Sequence, residues 1–350
     1  MANQKDTVAR SLKSSHIILP VAIGLLAIAW MFQSEFSTLT DAKTDLSSYF
    51  DIQTVLFLFL AFLLACFKDL CSMWRLYLLS DKQLRFPSLF RVRMLYEFTS
   101  AVTPSAAGGS ALEMLFIHKE GLKFGESTAI TIISLFLDEL FFVLAFPLFL
   151  LFVPFNELFA VSGRVSASII SLFMIGYVFK TVWVLLLFTG IFIKPSVITG
   201  MFRKIFAFKF LRKYRVSAYR TAIDIRECSK RMRHKSFRFW FSTIGLSFAM
   251  WLSRFSIVNM LIMGFVPLSE NLLVIGRQFV IMVVMLIAPT PGGSGFVELM
   301  FNNYLGEFIP SGIIALLIVV FWRLLTYYNY LLAGIIIAPR WVSRNFGKKK

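Results

Sequence analysis

The chain has 350 residues, of which 58% are hydrophobic and 16% are charged, with a mean hydropathy of +0.75. Soluble domains carry about one quarter charged residues, so the composition excludes an ordinary soluble domain and predicts an all-α polytopic membrane protein. The net charge of +17 is concentrated in one segment, because residues 194–238 hold 14 Lys/Arg and only two acids. We interpret this segment as a cytoplasmic loop facing anionic lipid headgroups, with nucleic-acid binding as the minor alternative.

Cysteine and histidine are too scattered to predict a disulfide framework or a metal site. The residues concerned are Cys66, Cys71, Cys228, His16, His118 and His234. The sequence also lacks a P-loop and a nucleophile with a paired base. We therefore expect no cofactor, no bound metal and no catalytic residue.

Six apolar segments are predicted to cross the bilayer as helices, since a span needs about 20 residues. They cover residues 17–32, 52–79, 127–153, 166–192, 239–265 and 313–338. The first is interpreted as a retained anchor, because no convincing small-residue cleavage site follows it. Lys and Arg mark the cytoplasmic side, which includes both termini and the segment that contains Lys82, Arg85, Arg91 and Arg93. Arg75, near the end of the second helix, is expected to extend to the same side.

Two further apolar stretches are interrupted by Pro and Gly, which cannot continue a helix. One break covers residues 103–110 and the other covers residues 287–298. Both have the order Thr-Pro, then Gly-Gly-Ser, then a carboxylate, which is Glu113 in the first and Glu298 in the second. For either break alone, an ordinary turn between two spanning helices is the alternative.

Loop charges place the first break on the cytoplasmic side and the second on the external side. The pair therefore predicts two re-entrant broken-helix hairpins related by an inverted repeat, with a site where they meet. The whole chain, residues 1–350, is predicted to be one membrane domain. Its parts are a first repeat over residues 48–190, the basic loop over residues 194–238 and a second repeat over residues 237–338.

The second break also resembles a family signature. Its stretch Thr-Pro-Gly-Gly-Ser-Gly-Phe-Val-Glu at residues 290–298 is similar to the Pro-Gly-Gly-x-Gly-x-x-Glu motif of the lysylphosphatidylglycerol synthase transmembrane family. The helices carrying Arg254 and Arg323 follow in the order found in that family. The resemblance implies a flippase-like protein that moves an amphipathic lipid between leaflets. The soluble aminoacyl-transfer domain of the full synthases is not expected in this chain.

Charged groups inside spans cost roughly 2.5–3.5 kcal/mol each, so they are normally paired or solvated by a cavity, and most are functional. Arg254 or Arg323 is predicted to bind a lipid phosphate through its planar guanidinium. Glu298 and Asp138 are predicted either to compensate the arginines when the site is empty or to bind a cationic group. Alternatively, pairs such as Asp138 with Arg254, or Glu298 with Arg323, only fasten helices together. The predicted substrate-binding residues are Glu298, Arg254, Arg323, Asp138, Glu113, Gly292, Gly293, Gly295, Pro291, Thr290, Pro104, Gly108 and Gly109.

The leading hypothesis is a lipid transporter without enzymatic activity. A membrane enzyme that modifies a lipid headgroup, and a non-catalytic partner of a cytoplasmic lipid synthase, are the alternatives. The expected partners are membrane lipids, above all anionic phospholipid, with a homo-oligomer and a cytoplasmic lipid-synthesis enzyme as further candidates and no nucleic acid. The expected location is the plasma membrane, or the inner membrane of a two-membrane cell, with both termini cytoplasmic.

Overall fold

The computed structural model describes residues 49–103, 107–161, 164–194, 200, 227, 229–285, 301, 304–309 and 313–346. The helices are α1 Ile52–Leu79, α2 Phe86–Val102, α3 Ala107–Lys119, α4 Phe124–Leu150, α5 Ala167–Phe188, α6 Phe237–Phe265, α7 Asn271–Val284, α8 Ile313–Arg323 and α9 Asn329–Phe346. Shorter pieces are a helical turn at Phe155–Leu158, a 3-10 turn at Gly306–Phe308, and π turns at Thr189–Ile193 and Leu324–Tyr328. Within these described ranges, strand structure is limited to β1 Ala160–Val161 paired with β2 Arg164–Val165. The predicted all-α class is confirmed.

Five helices in the described ranges are long and apolar enough to cross a membrane: Ile52–Leu79, Phe124–Leu150, Ala167–Ile193, Phe237–Phe265 and Ile313–Asn345. They correspond to five of the six predicted spans, so the chain is a multi-pass membrane protein. The predicted first span, residues 17–32, lies outside the described residues, as does most of the basic loop.

Side-chain caps fix where three of these spans begin, because a cap accepts an N–H that has no partner inside the helix. The bonds run from Thr54 N to Asp51 Oδ1 (2.7 Å), from Ile169 N to Ser166 Oγ (3.4 Å) and from Phe239 N to Ser236 Oγ (3.3 Å). Polar capping residues directly before apolar runs explain why the sequence places these helix starts within a few residues.

The pair α2 and α3 is too short to cross a bilayer. With 17 and 13 residues, the helices are about 26 Å and 20 Å long, against a hydrocarbon core of about 30 Å. They pack on each other so closely that a Cβ at Gly109 would overlap the Ser100 side chain. At the far end of the pair, Arg91 Nη2 forms an ion pair with Glu120 Oε2 at 2.5 Å. The chain therefore enters and leaves this pair at the same end of the bundle, beside the end of α1.

The Glu120 carboxylate ties three helices together at that end. Its side chain is 1% exposed, and it also accepts a hydrogen bond from Trp341 Nε1 of α9 at 3.3 Å. Burial alone would raise the pKa of Glu120, but hydrogen bonds, chiefly from Arg91, outweigh burial and hold the pKa below its ordinary value. The carboxylate is thus kept charged where α9 meets the base of α2 and α3.

Helix α7 starts at the opposite end of the bundle and is also short, since its 14 residues extend about 21 Å. Arg277 in its second turn is 2% exposed. This guanidinium donates to the backbone oxygens of Glu157 and Tyr304, each at 3.1 Å, and forms an ion pair with Glu307 Oε1 at 2.6 Å. These bonds fix the segment containing Tyr304 and Glu307 beside the start of α7. Two short elements thus enter the bundle from opposite ends.

The apolar core is divided into two parts. One part, at the end where α7 starts, contains Phe141, Ile262 and Phe279. The other, at the end that holds Glu120, contains Leu79 and Phe98. Charged side chains also lie inside the bundle, on α1, α2, α4, α6 and α8. The charged residues concerned are Lys68, Asp69, Arg75, Arg93, Glu97, Asp138, Glu139, Arg254 and Arg323.

Candidate functional site

A cavity of about 130 Å³ lies where the two short elements meet. Ser100 and Ala101, at the inner end of α2, form one side of it, and Met282 and Met285, at the inner end of α7, form another. The middle of α6 and the junction of α8 with α9 complete the lining. The cavity therefore lies deep in the bundle, at the tips of both short elements.

Two guanidinium groups face this cavity. Arg254 is half-buried, and its guanidinium lies 5.7 Å from the ring centre of Trp251. Among the described residues, it has no hydrogen-bond or ion-pair partner. Arg323 is 4% exposed and lies 5.0 Å and 5.1 Å from the ring centres of Trp322 and Tyr327. Aromatic faces hold a planar cation in a fixed orientation.

Glu97 of α2 also lines the cavity, but its charge is already compensated by neighbours. Lys68 Nζ donates to Glu97 Oε1 at 3.3 Å, and Arg93 forms a close ion pair with the same carboxylate. Arg93 Nε also donates to Asp69 Oδ1 at 2.9 Å. The Tyr330 hydroxyl donates to Asp69 Oδ2 and accepts from Lys68 Nζ, each at 2.8 Å. Two cations and two carboxylates thus form a neutral network beside the cavity.

A second buried pair joins α1 to α4. Arg75 Nη1 and Nη2 donate to the two carboxylate oxygens of Asp138 at 2.5 Å and 3.0 Å, and Nη1 also donates to Ser247 Oγ at 2.8 Å. Arg75 is 5% exposed. The expectation that Arg75 extends to the headgroups is wrong, because Asp138 offers it a bidentate partner inside the bundle. The suggested pairing of Asp138 with Arg254 is likewise wrong.

Glu113 of α3 lies away from the main cavity. It lines a small cavity of about 10 Å³ together with Arg75, Arg93, Tyr96 and Ser134. In the described part of the chain, its carboxylate forms no hydrogen bond or ion pair, although it interacts electrostatically with Arg75, Asp138 and Arg93. Glu113 therefore belongs to the charged cluster but not to the lining of the site that holds Arg254.

The structure brings together two of the predicted site residues, Arg254 and Arg323, at one cavity. Asp138 and Glu113 lie beside Arg75 instead. Gly108 and Gly109 form the first turn of α3, where Gly109 allows its close approach to α2. The remaining predicted residues lie outside the described ranges: Glu298, Gly292, Gly293, Gly295, Pro291, Thr290 and Pro104.

Sequence reasoning missed several polar residues that line the cavity, among them Glu97, Gln278 and Tyr330. It also took Arg93 as a marker of the cytoplasmic side, which is wrong, because Arg93 is 8% exposed and bonded to Asp69 and Glu97. A signal was present, since Arg93 and Glu97 are four residues apart and share one face of a helix. An arginine with a carboxylate at that spacing inside an apolar stretch indicates a buried pair.

Comparisons with known proteins agree with this architecture. A family model described as the lysylphosphatidylglycerol synthase TM region matches residues 17–334. The chain is also similar to a UPF0104 membrane protein of Archaeoglobus fulgidus, with 26% identity over 292 residues that cover 80% of this chain and 85% of that protein. The resemblance carried by residues 290–298 is therefore confirmed. The chain belongs to the family of the lysylphosphatidylglycerol synthase TM region, whose members are membrane proteins.

Proposed function

We propose that the protein is a transporter that moves an anionic amphipathic lipid between the two leaflets of the membrane. The observation that carries the proposal is the cavity at the tips of two short elements that enter the bundle from opposite ends. Broken elements of this kind mark substrate sites in transporters built from inverted repeats. In this proposal, α2 with α3 forms a re-entrant hairpin from the cytoplasmic side, and α7 enters from the outside.

The charge of the lining supports an anionic headgroup. Arg254 lines the cavity and has no hydrogen-bond or ion-pair partner among the described residues, while the carboxylate of Glu97 is already bound by Lys68 and Arg93. A guanidinium binds a phosphate oxygen pair through two parallel N–H bonds, which makes arginine well suited to phosphodiesters. Arg323, on another wall of the same cavity, can contact the same group.

The size of the cavity supports transport of a headgroup rather than enclosure of a whole lipid. At about 130 Å³, it is smaller than the roughly 300–1,000 Å³ of sites that enclose drug-sized ligands. A phosphate with a small substituent fits, whereas acyl chains do not. The chains would remain in the hydrocarbon of the bilayer while the headgroup passes through the polar interior of the protein.

The proposed orientation follows from the distribution of positive charge. Lys82, Arg85 and Lys235 lie at the end of the bundle where α1 ends, and the sequence of residues 194–238 is rich in Lys and Arg, as cytoplasmic loops are. Both termini are proposed to be cytoplasmic, and the membrane is proposed to be the plasma membrane or the inner membrane of a two-membrane cell.

A leaflet-exchange assay tests this function. Purified protein is reconstituted into vesicles that contain phosphatidylglycerol with a fluorescent group on one acyl chain, and the exposed label is then reduced chemically. The protein is expected to accelerate movement of label from the inner to the outer leaflet. Arg254→Gln should slow this exchange by about tenfold or more, because a hydrogen bond to a charged group contributes about 1.5–3 kcal/mol.

The matched control is Arg238→Gln, an exposed arginine near the start of the same helix, which should exchange label at the rate of the unsubstituted protein. Equal exchange in vesicles with and without protein would overturn the proposal. Unchanged exchange by Arg254→Gln would remove the cavity from the mechanism. A new labelled lipid species, separated by chromatography, would instead support an enzyme that modifies the headgroup.

A further inference from the structure

Eight charged side chains of the bundle form one contiguous array. Six of them are linked by the two groups of ion pairs described above; Glu113 lies between these groups, and Arg254 interacts electrostatically with Glu97 and Lys68. The central charge array consists of the cations Lys68, Arg75, Arg93 and Arg254 and the carboxylates Asp69, Glu97, Glu113 and Asp138. Within this array, four positive and four negative charges balance. Arg323, on another wall of the cavity, packs against Trp322 and Tyr327 and is counted apart from the array.

Two members of the array lack a bonded partner among the described residues, and they carry opposite charges. They are Arg254 at the main cavity and Glu113 at the small cavity. Every other member has at least one ion pair at 3.3 Å or less. The neutrality of the array therefore depends on two separated groups, each beside a space that can admit a ligand.

The surroundings of Glu113 are polar and confined. Its carboxylate faces Arg75 of α1, Arg93 and Tyr96 of α2, and Asp138 of α4. Arg75 is already bound on both sides of its fork by Asp138. The space beside Glu113, about 10 Å³, is close to the minimum of about 10–15 Å³ that holds one water molecule. A water there can carry a proton to or from the carboxylate.

An anion bound to Arg254 would change the balance of the array. The guanidinium would then be compensated by the ligand, and the remaining seven groups would have three positive and four negative charges. An excess negative charge inside a bundle is costly, because the surrounding dielectric is low. Glu113 can accept a proton with the smallest loss of other interactions, because among the described residues its carboxylate forms no hydrogen bond or ion pair that protonation would weaken.

We propose that Glu113 is a proton-binding site that takes up a proton when an anionic headgroup binds at Arg254, so that the two are carried together. This inference rests on the proposed lipid-transport function and adds the ion to which it is coupled. The coupling passes along one face of α2, where Arg93 lies beside Glu113 and Glu97 lies beside Arg254. By linkage, a proton on Glu113 also strengthens binding of the anion to the same degree.

The test measures proton uptake on ligand binding. Short-chain phosphatidylglycerol, below its micelle-forming concentration, is added to detergent-solubilised protein in weak buffer with a pH-indicator dye, and lipid binding is measured by calorimetry on the same samples. The unsubstituted protein should take up as much as about one proton per bound lipid at mildly alkaline pH. Glu113→Gln, which has the shape of the protonated residue, should bind the lipid without taking up a proton.

Two controls keep the result interpretable. Glu157→Gln removes an exposed carboxyl and should leave proton uptake unchanged. Glu113→Asp keeps a carboxyl at the site and should retain proton uptake, so it provides a second test in case Glu113→Gln folds poorly. Uptake that persists in Glu113→Gln, or lipid binding without uptake by the unsubstituted protein, would overturn the proton site and leave the transport proposal standing. Absence of both lipid binding and leaflet exchange would overturn the two proposals together.

Discussion

Arg75 and Asp138 form the best-defined ion pair of the bundle. Both oxygens of the carboxylate accept from the arginine, and Trp251 Nε1 donates to Asp138 as well, at 3.2 Å. Such a pair contributes little net stability compared with an apolar replacement of both residues, because two charges must leave water. Removal of one partner is different, since the other charge then stays buried without compensation.

Arg75→Met should therefore lower the free energy of unfolding by about 3–5 kcal/mol. The matched variant is Lys235→Met, which breaks the ion pair of Lys235 with Asp81, whose side chains are 29% and 31% exposed. Its loss should be about 0–1 kcal/mol, because water screens a pair at the surface. Titration of the detergent-solubilised protein with a denaturing detergent, followed by tryptophan fluorescence, measures both values. Equal losses would contradict the buried position of Arg75.

At this scale, the sequence predicted some of the residues that carry charge inside the bundle but not how they pair. Arg254, Arg323 and Asp138 were identified because a charged residue inside an apolar span is costly and is therefore normally paired or functional. The partner of Asp138 is 63 residues away on α1, and a single sequence contains no signal for which two helices touch. Pairing within one helix, as between Arg93 and Glu97, was open to prediction.

Among the elements, α9 depends on a close contact with α2. Gly334 lies against Phe98, a ring that is 1% exposed, and a Cβ at this position would overlap the ring. The absence of a side chain lets two helix backbones approach, which is a common way of joining helices in membranes. This contact lies about one helical turn beyond Tyr330. Tyr330 and Tyr327 line the cavity at the junction of α8 with α9.

Gly334→Ala should consequently destabilise the protein by about 1–3 kcal/mol, the usual cost of an overpacked core. Gly245→Ala in α6 is the control, because no atom lies within contact distance of its added Cβ. It should be neutral or gain as much as about 1 kcal/mol from helix propensity. Thermal unfolding in detergent measures the stability of the two variants. A second substitution, Phe98→Leu, should restore the stability that Gly334→Ala loses, because it removes the ring that the added Cβ overlaps. A stable Gly334→Ala protein would rule out this helix contact.

The helices themselves were predictable from apolar length and capping residues. The second span was predicted at residues 52–79 and is found at Ile52–Leu79. The first break was predicted over residues 103–110; α2 does end at Val102, but α3 begins at Ala107, so the prediction is wrong for residues 107–110, which are helical. The π turn Leu324–Tyr328 was not predicted. Its sequence is compatible with an ordinary helix, so only the packing around it selects the wider turn.

For the whole molecule, the opposite entry of the two short elements requires that the ends of the bundle face different compartments. Single cysteines at Lys230 and Ser269 test this arrangement in a protein whose own cysteines have been replaced. Both positions are exposed and lie at opposite ends of α6. A membrane-impermeant maleimide added to intact cells should label the Ser269 variant but label the Lys230 variant only after lysis. Labelling of the Lys230 variant in intact cells would reverse the proposed orientation.

The multi-pass helical class was largely predictable because apolar length is a property of short stretches of chain. The composition of the cavity was not, since it combines residues from α2, α6, α7 and the junction of α8 with α9. Which residues of different helices line the same cavity depends on how the helices pack, and a single sequence does not show this. The predicted role of Glu298 remains a prediction, because residues 286–300 lie outside the described ranges.

The π turn between α8 and α9 makes the length of the last span as important as its composition. Arg323 before the turn faces the cavity, and Tyr330 after it bonds to Lys68 and Asp69. Deletion or insertion of one residue between them would rotate one half of the span against the other by about 100°. Either Arg323 or Tyr330 would then lose its position. Relatives that differ freely in the lipid-facing side chains of this segment should therefore keep its number of residues.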